Sequence, residues 1–295
     1  MQKIKVAVIG SGNIGIDLTE RLLLDSRFEM LFLIGRRPDS PGLNRFKDRI
    51  QGTLSNGTES LNDVISKVDG IFDATSAFDH ESHWKIAQSN NRWAIDLTPS
   101  RIGQAFSPVL ANKIESMKIS NEITSNYSMV TCGGQSSAAL LLGISKFAKD
   151  ISEVEISSSI AANSAGPATR KNIDEYIIAT QNFAQLVSGA GITKSILVLN
   201  PADPPVMMRT TVSIKSNNHD LDKISTFCKE LVDETRNYVP GYELIVEPYN
   251  ENDSVITATV RVVGSGYYLP AYAGNLDIIN AAAIETAFRH MEFNK

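Results

Sequence analysis

The 295-residue chain is poor in cysteine, in basic residues and in long apolar runs. Two cysteines are too few for a disulfide framework, and they favour a reducing, cytoplasmic location. The 33 acidic residues exceed the 28 basic ones, for a net charge of −5. This balance argues against a binder of nucleic acid or of anionic membranes, because both need a basic surface. No apolar stretch approaches the roughly 18 residues of a membrane span, and the N-terminal segment lacks the features of a signal peptide.

Histidine is also scarce, with four residues. His80 and His83 lie close together beside two acidic residues, which at first sight resembles a metal site. A structural zinc site needs four protein ligands and a catalytic one usually needs three. No cysteine or further histidine lies nearby at ligand spacing. We therefore predict a polar helix start at this point, and no metal site.

The hydrophobic content of 42% is enough for one large core or two moderate ones. Strands alternate with helices in the first half, whereas strands with one apolar and one polar face dominate the second. This pattern predicts an α/β fold, in which a Rossmann dinucleotide-binding domain is joined to an α+β domain with a mainly antiparallel sheet. We place residues 1–131 and 275–295 in the first domain, with the last helix returning to it, and residues 132–274 in the second. The polar segment 51–60 is predicted to be a loop.

A glycine motif opens the chain. The apolar strand Ile4–Ile9 runs directly into Gly-Ser-Gly-Asn-Ile-Gly, and a helical pattern follows. Gly10 suits the tight turn, Gly12 lets the backbone reach a pyrophosphate, and Gly15 lets the helix pack closely on the strand. The helix N-terminus would hold the pyrophosphate. The motif in this context predicts a dinucleotide site.

The ends of the following strands bear on which nucleotide binds. The second strand is followed by Arg36 and Arg37, whereas NAD sites often carry an acidic residue there and arginine suits the 2′-phosphate of NADP. Both arginines could equally be solvated surface charges. Ser76 and Thr98 follow two further strands, and we predict them to be neighbours of the cofactor or substrate, since strand carboxyl ends face the ligand crevice.

Cys132 is the candidate nucleophile. It follows an apolar run and precedes Gly133 and Gly134, with a helix predicted at 136–146. Unpaired N–H groups and the helix dipole at such a corner stabilise a thiolate, so we expect a lowered pKa. The glycines let a substrate carbonyl approach the main chain. The alternative is that Cys132 is a small buried hydrophobic residue, and we predict that packing role for Cys228.

Eight segments occur in order between residues 10 and 278, and they read GSGNIGIDL (10–18), FDATS (72–76), AIDLTP (94–99), MVTCGGQ (129–135), SAGP (164–167), NIDE (172–175), LNPA (199–202) and YAGNLDI (272–278). Together they resemble the CoA-acylating acetaldehyde dehydrogenases. These are the short two-domain type associated with 4-hydroxy-2-oxovalerate aldolase in catechol meta-cleavage, a route of aromatic hydrocarbon catabolism. The resemblance implies a plan like that of glyceraldehyde-3-phosphate dehydrogenase.

The resemblance also implies a mechanism. Cys132 would attack acetaldehyde or another short aldehyde, hydride would pass to NAD, and coenzyme A, the co-substrate, would take the acyl group from the thioester. Backbone N–H groups at 132–134 would hold the oxyanion. The family prefers NAD, although NADP is not excluded, and a homodimer through the second sheet and an aldolase partner are expected. The implied NAD contacts are Ser11, Gly12, Asn13, Ile14, Ser164, Ala165, Gly166, Pro167, Ala168, Thr169, Arg170, Lys171, Asn172 and Asn275.

The chain departs from the family at two places. In relatives one strand reads Arg-Asp-Thr-Val, and its aspartate assists the cysteine. The corresponding residues 209–212 of this chain read Arg-Thr-Thr-Val, so Thr210 stands in place of that aspartate. Threonine cannot take a proton at neutral pH, so another group or the helix terminus must serve. Ser136, Ser137 and Ala138 replace an apolar, proline-containing run, so the acyl pocket is expected to differ.

Two alternatives stay open. A phosphorylating semialdehyde dehydrogenase shares the plan but pairs its cysteine with a histidine, and the only histidines after Cys132 are His219 and His290. A non-catalytic NAD-binding subunit of an aldolase complex is the second alternative, and Thr210 is the residue that favours it.

Overall fold

The computed structural model describes residues 2–252 and 254–295, apart from the side chain of Ala168. A seven-stranded, wholly parallel sheet forms from the first half, in the order β3-β2-β1-β4-β5-β7-β6. Its strands are β1 (Ile4–Ile9), β2 (Phe28–Gly35), β3 (Gly52–Ser55), β4 (Gly70–Asp73), β5 (Trp93–Asp96), β6 (Gln104–Ala105) and β7 (Asn126–Ser128). The central strands are apolar and buried almost throughout, because helices cover both faces of a parallel sheet.

The second half forms a five-stranded sheet in the order β10-β9-β11-β14-β13. Strands β9 and β10 pair in parallel and the other three pairs are antiparallel, which confirms the prediction of a mainly antiparallel sheet. The strands are β9 (Glu153–Ala161), β10 (Ile192–Asn200), β11 (Met208–Lys215), β13 (Tyr242–Asn252) and β14 (Val255–Val262), while β8 (Ala148–Lys149) and β12 (Asn218–His219) form a separate short pair.

Nine α-helices are present in the described part of the chain, and they are α1 (Asn13–Leu24), α2 (Pro41–Phe46), α3 (Thr58–Val64), α4 (His80–Ser89), α5 (Cys132–Ser145), α6 (Pro167–Lys171), α7 (Ile173–Ser188), α8 (Leu221–Arg236) and α9 (Gly274–Phe293). Helix α5 is buried from its first residue to Ile144 and packs on α7, α8, α9 and β11. It begins at Cys132, four residues earlier than predicted. None of the described helices is long and apolar enough to cross a bilayer.

The last helix contacts the first half of the chain. Arg21 of α1 donates from Nε to Asp17 Oδ2 at 2.6 Å and forms a second ion pair with Asp277 of α9. Asn280 of α9 donates to Asp17 Oδ2 at 2.8 Å and to Ile14 O at 3.2 Å. This buried network ties α9 to the helix that follows the glycine motif. The division of the chain at residues 131/132 and 274/275 into two folding domains stays a prediction.

One local prediction needs correction, and a second gains a feature that the sequence did not show. The segment 51–60 is not simply a loop, because β3 pairs with β2 from Phe32↔Gly52 onward and α3 begins at Thr58. Helix α4 begins at His80, at the predicted polar helix start, and the structure adds that His80 and His83 are both buried. Their partners are described below. In both cases neighbouring strands, absent from the local pattern, supply the burial or the pairing.

Candidate active site

The corner that carries Cys132 is built from a capped helix and a strained residue. Thr131 is the N-cap of α5, and its Oγ1 accepts from the Gly134 N–H at 2.8 Å. Val130 has a φ of 61°, which is unusual and costly for a β-branched residue. The chain therefore makes an abrupt turn between β7 and α5. Cys132 occupies the first helical position, as the strand-to-helix prediction requires.

Burial changes the acidity expected of Cys132. Cys132 is only 9% exposed, and this burial raises the pKa of its thiol to about 11. The Tyr176 hydroxyl and the backbone N–H groups of Gly133 and Cys132 act in the opposite direction, but less strongly. The expectation of a lowered pKa for Cys132 is therefore wrong. The helix-terminal donors are present, and loss of water outweighs them.

A cluster of hydroxyl side chains surrounds the thiol. The Cys132 Sγ lies 3.9 Å from Tyr176 Oη, and the Tyr176 hydroxyl hydrogen-bonds those of Ser158 and Thr131. Thr210 Oγ1 lies 3.1 Å from Ser158 Oγ and 2.7 Å from Ser136 Oγ. We call Thr131, Ser136, Ser158, Tyr176 and Thr210 the hydroxyl cluster. Each of its members is buried, and none carries a charge at neutral pH.

Tyr176 and Ser158 lie in the cluster beside Cys132, although no sequence motif indicated them. Ser158 interrupts an otherwise apolar inward row in β9, between Ile156 and Ile160, and Thr210 does the same in β11. A hydroxyl at an inward position of an alternating strand is a signal that could have identified Ser158 as well as Thr210. Tyr176 had no comparable local signal.

Other side chains considered from the sequence lie elsewhere. His219 contacts Ser216 O and Asn250 Oδ1, and His290 contacts Tyr127 and Ile123 O, so neither hydrogen-bonds Cys132. Cys228 is fully buried on α8, and burial raises its thiol pKa to about 12, in agreement with a packing role.

The glycine motif has the expected backbone geometry. Gly10 has a φ of +109°, and a Cβ there would lie 2.4 Å from Ala74 O. A Cβ at Gly15 would lie 1.8 Å from Gly10 O, whereas one at Gly12 would meet nothing within 4 Å. The two outer glycines are therefore required by the fold, and Gly12 faces open space where a pyrophosphate would approach. Ser11 Oγ lies 2.7 Å from Ser40 Oγ.

One loop of the second half lies beside the glycine motif. A Cβ at Gly166 would lie 3.4 Å from Asn13 Nδ2, so the two loops are adjacent. Arg170 donates from Nη2 to Ala162 O at 2.9 Å and from Nε to Ala165 O at 3.2 Å, and thereby holds its own loop. Ser164, Ala165 and Asn172 are buried, Gly166 and Thr169 are half-buried, and Pro167, Arg170 and Lys171 are exposed, whereas the side chain of Ala168 lies outside the described part of the chain.

Two buried polar atoms fit a bound dinucleotide. Among the atoms of the described residues, Thr98 Oγ1 at the end of β5 and Asn275 Oδ1 in the first turn of α9 have no hydrogen-bond partner. Unpaired buried polar atoms are costly unless a ligand or water satisfies them. Ser76 is occupied instead, since its hydroxyl donates to Asp79 Oδ2 at 2.7 Å. Arg36 and Arg37 are exposed just after β2.

A second buried cluster lies at the carboxyl ends of β4 and β5. Asp73 Oδ2 accepts from His83 Nδ1 at 2.7 Å and His80 Nδ1 at 2.9 Å, and Asp96 Oδ1 lies 3.7 Å from His80 Nδ1. We call these four residues the charged cluster. Burial raises the pKa of Asp73, but the two imidazoles outweigh it and hold that pKa below its ordinary range. Among the described residues no group of three or more such side chains could hold a metal ion.

Comparison with known proteins identifies the family. The family model "Prokaryotic acetaldehyde dehydrogenase, dimerisation" matches residues 132–270, which supports a homodimer. An acetaldehyde dehydrogenase of Pectobacterium atrosepticum is 41% identical over 96% of this chain and 94% of its own. One of Spirochaeta aurantia is 41% identical over 96% and 93%, and one of Bacillus cereus is 39% identical over 97% and 93%.

Two solved structures share the fold at low sequence identity. A probable aspartate-semialdehyde dehydrogenase from Pseudomonas aeruginosa has a TM-score of 0.61 and 13% identity, covering 100% of this chain and 99% of its own. Aspartate semialdehyde dehydrogenase II from Vibrio cholerae, complexed with ASA, has a TM-score of 0.63 and 14% identity, covering 99% and 98%. They confirm the predicted plan of a Rossmann-like domain plus a mixed sheet.

The parallel sheet, its glycine motif and these relatives define an oxidoreductase that binds a nicotinamide dinucleotide of the NAD type. More narrowly, the chain belongs to the acetaldehyde dehydrogenase family, and it is an aldehyde dehydrogenase.

Proposed function

We propose that this protein oxidises acetaldehyde or another short aldehyde to an acyl-CoA with NAD, through a thioester on Cys132. The observation that carries this proposal is a continuous path between the two halves of the site. Asn13 of the glycine motif adjoins Gly166, whose loop leads to Asn172. Asn172 O accepts the Tyr176 N–H at 2.9 Å, and the Tyr176 hydroxyl reaches Cys132. The end of the loop beside the glycine motif and the residue that contacts the thiol are therefore only four residues apart, at Asn172 and Tyr176.

Each residue near Cys132 has a role in this proposal. The Cys132 thiolate forms a C–S bond to the aldehyde carbon, and the carbonyl oxygen takes the displaced electron pair. The backbone N–H groups of Cys132 and Gly133 lie within reach of Sγ and would stabilise that oxyanion, whereas the Gly134 N–H is already bonded to Thr131. Loss of hydride, for which a bound nicotinamide would be the acceptor, would leave a thioester. The thiol of coenzyme A would then take the acyl group, and its proton would go to the sulfur of Cys132 as that residue is released.

The cofactor would be held by this chain's own loops. Gly12 leaves room for the pyrophosphate at the start of α1, and Thr98 Oγ1 and Asn275 Oδ1 are free to bond polar groups. When bound, the nicotinamide ring supplies the hydride acceptor. Arg36 and Arg37 keep NADP as the alternative cofactor, so KM should be measured for both nucleotides, with a lower value expected for NAD.

The decisive experiment is Cys132→Ser. We expect it to abolish CoA-dependent NADH production from acetaldehyde, a loss of at least about 1,000-fold, because a serine hydroxyl ionises far less readily than a thiol. NAD binding, measured by nucleotide fluorescence, should persist because the nucleotide loops are unchanged. Cys228→Ser is the matched control and should retain turnover if it folds. Wild-type turnover in Cys132→Ser would remove Cys132 from the mechanism.

The same assay separates the alternatives. A phosphorylating semialdehyde dehydrogenase would need phosphate in place of CoA, and neither His219 nor His290 is positioned to pair with Cys132. A non-catalytic subunit would bind NAD but form no NADH with any aldehyde. The burial that raises the thiol pKa is the observation that favours this second candidate. NADH formation that requires CoA would exclude both.

The remaining partners also belong to the proposal. The outward face of the second sheet carries a polar ladder in which Thr211 pairs with Thr259 and Ser213 with Thr257, both at 2.9 Å, and we propose it as the homodimer surface. The two cysteines are free, which suits a cytoplasmic location. An aldolase partner, with a role in aromatic catabolism, stays a prediction from the resemblance. Co-purification with such an aldolase would test it.

A further inference from the structure

We propose that the Tyr176 hydroxyl is the group that stabilises the ionised form of Cys132 in this protein. This inference rests on the proposed function, since it assumes that Cys132 reacts as a thiolate. It assigns a catalytic role to a residue in the first turn of α7, beside the loop that the cofactor would contact.

The contact is local and specific. In the described part of the chain, Tyr176 provides the one side chain hydrogen-bonded to Cys132 Sγ, at 3.9 Å. Both residues are buried, so little water is present to solvate a developing charge. A tyrosine hydroxyl can accept a hydrogen bond from a thiol and donate one to a thiolate. Rotation of a single O–H bond would therefore serve both protonation states.

Gly133 makes this approach feasible. A Cβ at position 133 would lie 2.1 Å from Tyr176 Oη and 2.8 Å from Ser158 Oγ. Real carbon and oxygen atoms do not approach so closely, so any other residue at this position would displace both hydroxyls. The glycine next to the cysteine thus admits the tyrosine to the start of α5, in addition to leaving the backbone open to substrate.

The rest of the cluster orients Tyr176 and cannot replace it. Ser158 bonds the Tyr176 hydroxyl, and Thr210 bonds Ser158 at 3.1 Å. Thr210 also bonds Ser136 at 2.7 Å, and its hydroxyl connects to the thiol through Ser158 and then Tyr176. These side chains are neutral donors and acceptors, and a thiolate in their midst depends on the donor nearest to it. That donor is Tyr176.

The test is the pH dependence of kcat in Tyr176→Phe, measured with saturating acetaldehyde, NAD and CoA. Deleting the donor raises the thiol pKa, because a hydrogen bond to the charged form favours that form. We expect the rising limb of kcat to move about one to two units toward higher pH, with a loss of about 10- to 100-fold below the limb. The dissociation constant for NAD, measured by fluorescence, should change by less than about twofold, which is well below the tenfold change that about 1.4 kcal/mol of binding free energy would cause.

Tyr127→Phe is the matched control, because it deletes the same atom from a buried tyrosine. The Tyr127 hydroxyl accepts from the Ser120 N–H at 2.9 Å and lies 3.1 Å from His290, away from Cys132. We expect its kcat limb to coincide with that of the wild type. A merely structural loss in Tyr176→Phe would lower kcat equally at all pH values, and an unmoved limb would overturn the inference.

Failure of this inference is distinguishable from failure of the proposed function. If Cys132→Ser is inactive and Tyr176→Phe keeps the wild-type limb, Cys132 is the nucleophile and Tyr176 does not stabilise it. If Cys132→Ser retains turnover, the nucleophile assignment itself is wrong, and the role of Tyr176 falls with it.

Discussion

The hydroxyl cluster around Cys132 and the charged cluster at the ends of β4 and β5 are equally buried but chemically opposite. The charged cluster contains two carboxylates and two imidazoles, with every separation from Asp73 to a histidine below 3 Å. The hydroxyl cluster holds one ionisable thiol among neutral groups. A buried charge is tolerated only when a partner compensates it. The comparison shows why Asp73 stays ionised here while Cys132 stays protonated.

The two clusters also differ in the reactivity of their ionisable groups. Asp73 has its countercharges permanently in place, so its ionisation is a property of the folded chain. Cys132 has a single side-chain donor and two backbone donors, which do not offset its desolvation. Its thiolate is therefore a high-energy species. A group that is costly to ionise is also a strong nucleophile once ionised, because its basicity is high.

Asp73→Asn should lower the free energy of unfolding more than any other substitution in either cluster. The substitution leaves His80 and His83 without their shared carboxylate, and breaking a buried ionic network costs about 3 to 5 kcal/mol. Urea unfolding at pH 7 would measure the loss of free energy of unfolding. Asp63→Asn, at an exposed position on α3, is the control and should change it by less than about 0.5 kcal/mol. Equal stability of the two variants would show that the charged cluster is not a unit.

Asp96→Asn should have the next largest effect, seen as a change in pH dependence. Burial raises the pKa of Asp96 to about 6, and the charge of Asp73 adds to the rise, while His80 opposes it. The folded state then binds more protons than the unfolded state between about pH 4 and 6, so stability falls as pH rises through that window. Removing the carboxyl should abolish this fall, which is on the order of 3 kcal/mol.

The measurement for Asp96 is the free energy of unfolding at several pH values from 4 to 7, in the wild type and in Asp96→Asn. The difference between the two curves should grow in favour of the variant as the pH rises. A constant difference across this range would mean that Asp96 titrates normally, and that the charged cluster includes only Asp73 and the histidines.

Thr210→Val should have the smallest effect, because it alters the neutral cluster. It keeps the shape of the side chain and removes two hydrogen bonds, to Ser136 and Ser158, at a cost of about 1 to 2 kcal/mol. No group in the cluster carries a charge, so the loss should be the same at pH 5 and pH 8. A loss that varies with pH would contradict the neutral description of the cluster.

Much of this architecture follows from the local sequence. The glycine motif after an apolar strand predicts the turn at Gly10, and the alternation in β14 predicts an antiparallel sheet with one buried face. The run ending in Cys132 and two glycines predicts a strand-to-helix corner, and α5 begins there. These predictions succeed because turns, pleats and helix starts depend on residues that are adjacent in the chain.

Properties that depend on distant residues could not be predicted in this way. The sequence predicts a polar helix start at His80 and His83, but it does not show that the fold buries both histidines beside Asp73. Segment 51–60 looks like a loop, and only its pairing with β2 makes part of it a strand. Burial and strand pairing are tertiary quantities, and a local pattern does not contain them.

By itself, the sequence determined the two sheet types, the nucleotide loop and the position of Cys132 at a helix start. Only the tertiary structure decided the acidity of that thiol and the identity of its neighbour. The helix start favours a thiolate, but α5 lies within the core, and loss of water there raises the pKa to about 11. Tyr176, 44 residues further along the chain, supplies the side-chain hydrogen-bond partner of the thiol because α7 packs on α5.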